Sequence, residues 1–88
     1  MTIHQYVKSK LKEFDVEHPE ITGRQLHYYS AFSKTGKTLT FDDMRKIEIQ
    51  SMVDVGVPIE YATHAVDKAI ADLLKSGVKS PTRIPWGK

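Results

Sequence analysis

The chain holds four histidines, His4, His18, His27 and His64, and no cysteine. Imidazole nitrogens ligate transition metals when two or more are brought onto one face. These four fall in four separate segments, with no His-x3-His and no His-Glu-x-x-His spacing. The expectation is no metal site, and the absence of cysteine excludes thiolate ligation and disulfides. Asp42-Asp43 is the one adjacent carboxylate pair that invites an acid–base reading. Neighbours in a helix do not face each other, and both carboxylates suit the positive end of the helix dipole. Gly36-Lys37-Thr38 resembles the end of a phosphate loop, yet Leu26 to Lys34 holds no glycine to complete the motif. The residues therefore predict a non-enzyme with no cofactor.

Periodicity predicts the elements that carry these residues. Ile3, Tyr6, Val7, Leu11 and Phe14 fall at helical spacing, which predicts a helix from about Ile3 to Phe14 with a capping box of Thr2 and Gln5. Asp15 to Glu20 reads as a loop, because Pro19 disfavours helix for His18. Thr22 followed by Gln25 is a second capping box, opening a short helix over about 22–32. Leu26, Tyr29 and Phe32 form its apolar stripe, and Tyr29 is assigned to the core. Ser33 to Thr38 reads as a basic hairpin or loop turning on Gly36.

Thr40 and Asp43 cap a third helix, about Phe41 to Val55, expected to be the most amphipathic segment. Its stripe is Phe41, Met44, Ile47 or Glu48, Met52 and Val55. Gly56 stops it, and Pro58 leads into a fourth helix over about Ile59 to Lys75, ended by Gly77. Ala62, Ala65 or Val66, Ala69, Ile70, Leu73 and Leu74 face inward or toward a partner, and the alanine-rich stripe with Tyr61 is the expected self-association surface. The fold class is thus mainly α: about four helices in one domain, residues 1–77, followed by a tail, 78–88. Ile84 and Trp86 in that tail are expected to plug the core, the alternatives being a disordered tail or one that meets nucleic acid or a partner.

Eighty-eight residues suit one small core, with a hydrophobic fraction of 40%. No stretch approaches the ~20 apolar residues of a membrane span, and a cysteine-free small domain suits a reducing cytoplasm. The net charge of +2 is mild, so distribution decides. From Ile21 to Leu39 the charged residues are Arg24, Lys34 and Lys37, with no Asp or Glu, whereas Glu13 to Glu20 carries only acids.

Leu26-His27-Tyr28-Tyr29, Thr40-Phe41-Asp42-Asp43-Met44 and Ile49-Gln50-Ser51-Met52-Val53-Asp54-Val55-Gly56-Val57-Pro58-Ile59-Glu60 together resemble the DNA-reading half of the MerR-type winged helix-turn-helix family. The resemblance covers roughly residues 20–62, with His27 where the family usually has arginine. It implies a reading helix at about 22–32 in the major groove and a wing at 33–38. Arg24 and Gln25 are then the base-reading candidates. His27, Tyr28 and Ser30 contact phosphate or sugar, and Lys34 and Lys37 act as wing cations on phosphates or the minor groove.

The expected function is a small sequence-specific DNA-binding protein, a transcriptional regulator or recombination accessory factor of phage or plasmid type. Its partner is double-stranded DNA, met as a homodimer or cooperative array, with no membrane and no small-molecule effector implied. The alternative is a helical protein-interaction module or small inhibitor that binds a protein through helix 59–75 or the Trp86 tail.

Overall fold

The computed structural model describes residues 3–36 and 39–77. Among the described residues the chain is helical, with no strand: α1 (Ile3–Leu11), α2 (Gly23–Ser33), α3 (Phe41–Asp54) and α4 (Ile59–Lys75), with a single 3-10 turn over Lys12–Phe14. That turn is where the first helix departs from its predicted length. It ends on Asp15 in the left-handed region, φ 57°, so the chain turns off before Pro19. The Thr2 cap, Lys37, Thr38 and the Trp86 tail lie outside the described residues.

The starts of α2 and α3 differ in one instructive respect. At α3 the capping box is complete: Asp43 N–H donates to Thr40 Oγ1 at 3.2 Å and Thr40 N–H donates back to Asp43 Oδ2 at 3.0 Å. At α2 only half forms. Gln25 N–H donates to Thr22 Oγ1 at 3.0 Å, but the Gln25 side chain turns inward instead of reaching back to the cap. Both α3 and α4 run into a glycine at positive φ, Gly56 at 98° and Gly77 at 90°, a conformation that costs a residue with a Cβ. Pro58 is the residue just ahead of α4, at its N-cap.

The core joins Ile3, Val7 and Leu11 of α1 to Tyr29 of α2, Met44 and Met52 of α3, and Ala62, Ala65, Val66, Ala69 and Leu73 of α4. α4 is the hub, packing against both α1 and α3. The main partner of α1 is α4, whose buried alanines present a low inner surface to a neighbouring helix, rather than Leu26 and Tyr29 of α2. The alanine stripe is therefore internal and is not a self-association face. What α4 exposes instead is Ile59, Tyr61 and Leu74. Val55, assigned to the α3 stripe, is also exposed. α4, rather than α3, carries the cleanest division of apolar and polar faces, because the inner face of α3 includes Glu48 and Ser51.

Candidate nucleic-acid interface and the polar cluster behind it

α2 has two sharply different sides. Gln25 and Tyr29, one turn apart, are buried, at 2% and 0% exposure. Arg24, His27, Ser30, Ala31 and Lys34 are exposed. At 100° per residue, His27, Ala31 and Lys34 lie opposite the buried pair, with Arg24 on one flank and Ser30 on the other. From Arg24 to Lys34 this face runs about 15 Å along the axis at the helical rise. The chain from Ile21 to Gly36 carries no acid, so the only carboxylates near the face come from elsewhere.

One does. Asp54, at the end of α3, accepts the Tyr28 hydroxyl at 2.6 Å and a Gln50 amide hydrogen at 2.8 Å. Its other neighbour is the Arg24 guanidinium, 3.5 Å away. The Tyr28 bond, then the Gln50 bond and the Arg24 charge, hold the Asp54 carboxyl below its ordinary range. The same contact raises the Tyr28 phenol above its own. Tyr28 thus leans from the edge of the exposed face toward α3. Next to it, His27, Tyr28, Ala31, Phe32 and Thr35 line a shallow groove with Lys46, Ile47 and Gln50 of α3.

Of the expected site residues, the structure brings Arg24, His27, Ser30 and Lys34 to one exposed surface, with Tyr28 at its border. Gln25 is corrected. It points into the protein and cannot reach a base edge, because its amide is committed to a buried carboxylate. Lys37 lies outside the described residues.

The partner of Gln25 is Glu48, wholly buried on α3. Glu48 Oε2 accepts from Gln25 Nε2 at 2.9 Å and from the Tyr29 hydroxyl at 2.6 Å. Burial first, and then the Glu48 charge, push the Tyr29 phenol far above its usual range. On the other carboxylate oxygen, Oε1, the neighbours are His4 Nδ1 at 3.2 Å and His18 Nε2 at 4.0 Å. The two imidazoles stand edge to face with centroids 4.5 Å apart. Neither ring nitrogen of His18 makes a well-formed hydrogen bond within the described residues, although the Pro19 carbonyl lies beside the ring. Burial is the main reason its pKa is lowered to about 4, with His4 adding to the shift and Glu48 opposing it.

Sequence reasoning left this cluster unseen. Two of the four histidines do converge, from α1 and from the 15–22 loop, onto a glutamate of α3. The available signal was Glu48 itself, which occupies an inward position of the α3 period as an alternative to Ile47. Comparison of the chain with known protein families, with characterised proteins and with solved structures gives no match.

Proposed function

We propose that the chain is a small DNA-binding protein that presents α2 to the major groove, in the manner of the MerR-type proteins its sequence resembles. The observation that carries the reading is the two-sidedness of α2. Gln25 and Tyr29 tie its inner face to Glu48, while Arg24, His27, Ser30 and Lys34 occupy an outer face to which α2 itself contributes no acid. A helix of this length fits the groove, and its early residues are the ones that meet base edges. Arg24 is the base reader under this reading, with Asp54 aligning its guanidinium from behind. His27, Tyr28 and Ser30 contact sugar or phosphate, and Lys34, with Lys37, adds phosphate contacts. A handful of such contacts gives weak, salt-sensitive binding, so specificity requires dimers or arrays on repeated sites.

The test is fluorescence anisotropy with duplexes selected from a random pool, titrated across salt concentrations. Log affinity should fall linearly with log salt. Arg24→Ala should cost about 1–3 kcal/mol on the selected sequence and relax its preference, while Lys34→Ala should weaken all duplexes alike and lower the salt slope by about one. Absence of duplex binding at low salt overturns the reading. The rival is a protein-interaction module, favoured by the exposed Ile59, Tyr61 and Leu74 on α4. Capture of one partner, abolished by Tyr61→Ser and untouched by Arg24→Ala, would establish it.

A further inference from the structure

We propose that His4, His18 and Glu48 form a binding site for a divalent transition metal of the zinc type, a role separate from the outer face of α2. Three potential ligands from three segments, all buried, place their donor atoms within 4.8 Å of one another. Two imidazoles and a carboxylate are a donor set that zinc accepts. The His4 Nδ1 to Glu48 Oε1 separation of 3.2 Å is close to the edge of a tetrahedron built on bonds of about 2.0–2.2 Å. His18 Nε2 is further out, 4.0 Å from the same oxygen and within 4.8 Å of the His4 donor, and requires a shift of up to about 1.4 Å to close the set. It sits in the loop between the 3-10 turn and α2, where such a shift disturbs no helix.

Two further features point to a cation. First, His18 is buried and neither ring nitrogen has a well-formed hydrogen bond within the described residues, the Pro19 carbonyl beside it being a poorly aligned acceptor. A buried polar group without a good partner is destabilising, so a purely structural role is better served by leucine. Second, the hydrogen bonds around His4 cannot all be satisfied together. Gln25 Nε2 approaches His4 Nδ1 at 3.1 Å, and Glu48 Oε1 approaches the same nitrogen at 3.2 Å. If Nδ1 accepts from the amide, its lone pair faces a carboxylate oxygen. If Nδ1 carries a proton for Glu48, that proton faces an N–H. A cation seated among Nδ1, Nε2 and Oε1 takes all three lone pairs.

The surroundings already have the form that tunes a metal ligand. Gln25 and Tyr29 both donate to Glu48 Oε2, which fixes the carboxylate plane and leaves Oε1 facing the histidines. His18 also lines the surface cleft formed by Lys8, Lys12, Asp15, Val16, Glu17 and Glu20, which gives an ion a path inward. Three protein ligands leave a fourth position for a water.

The experiment uses the full chain, stripped with chelator and titrated with Zn2+ or Co2+ alone. One ion per chain is expected, with the visible absorption of four-coordinate Co2+ and a rise in Tm that Zn2+ concentration controls. His18→Leu loses no well-formed hydrogen bond and should fold, while losing both the absorption and the Zn2+-dependent rise. Tyr29→Phe, which keeps all three ligands, should weaken Zn2+ affinity about 10–100-fold. His27→Ala with His64→Ala, both exposed, should leave binding intact. No Co2+ absorption in the wild-type chain, or binding that survives His18→Leu, or binding lost in the His27/His64 variant, overturns the site.

Discussion

The Tyr29 hydroxyl donates to Glu48 Oε2 at 2.6 Å with both side chains at 0% exposure. This contact joins the inner face of α2 to the middle of α3, and Gln25 adds a parallel one from a turn earlier. Apolar contact between these helices is modest: Leu26 and Phe32 are only partly buried. The polar contacts therefore set the rotation of α2 about its own axis, and hence which residues face outward.

Glu48→Ala leaves Tyr29 and Gln25 with buried donors facing a void. Loss of one partner from a buried charged network costs about 3–5 kcal/mol, a large share of the 5–15 kcal/mol expected of a small domain. Tyr29→Phe removes a single donor and should cost about 1–3 kcal/mol. Urea denaturation followed by circular dichroism measures both. Equal costs for the two variants would mean that Glu48 contributes through Tyr29 alone.

A second prediction concerns Asp54. Its folded-state pKa lies below the unfolded value because Tyr28 first, then Gln50 and Arg24, favour the charged form. A depressed carboxyl contributes stability that is fully present above the unfolded pKa, near 4, and is lost as pH falls through the folded value. Wild-type chain should therefore lose its advantage over Asp54→Asn as the pH falls below about 4. Denaturation midpoints of the two proteins at pH 6, 4 and 2.5 check this. A constant difference across that range removes Asp54 as the source. Asp72, depressed chiefly by its bond to Lys10, acts in the same window and is unchanged in both proteins.

Much of the fold was legible because it rests on local signals. Thr40, Gly56 and Gly77 mark helix ends through their own backbone bonds, and α4 spans the range its periodicity predicts. The outer face of α2 was legible in part, since exposure at Arg24 and His27 follows from the helical period once Tyr29 is inside, whereas Lys34, expected on the loop, is the C-cap of the helix. The polar cluster was not. His4, His18, Gln25 and Glu48 lie far apart in the chain, and periodicity reports which way a residue points without reporting what it meets. Gln25 shows the difference. Its spacing from Thr22 is that of a capping box, and its backbone does cap, but tertiary pairing with Glu48 claims the side chain.

Capping carries a third prediction. Thr40→Ala removes the acceptor for Asp43 N–H and the partner of the Asp43 carboxylate, and should cost about 0.5–2 kcal/mol. Thr22→Ala removes only the bond to Gln25 N–H. It should cost less, about 0.5–1 kcal/mol, and fray the turn of α2 that carries Arg24. Hydrogen exchange at Gln25 and Leu26 reads the fraying directly. If those amides remain as protected as the centre of α3, the cap does not limit the order of that turn.

The last prediction concerns the low inner surface of α4. Ala62, Ala65 and Ala69 each have 0% exposure, and α4 packs on α1 and α3 together. Enlarging one of these side chains must push a helix away or force a strained rotamer, since cores are packed near crystal density. Ala65→Leu should cost about 1–3 kcal/mol in spite of the added apolar area. Leu74, 52% exposed near the end of the same helix, should tolerate Leu74→Ser within about 0.5 kcal/mol. If the alanines instead formed a face between copies of the chain, Ala65→Leu would leave the stability of dilute monomer unchanged and alter only association. Denaturation at two protein concentrations, with sedimentation of each variant, separates the two arrangements. A concentration-independent loss of stability places the alanines inside the single chain.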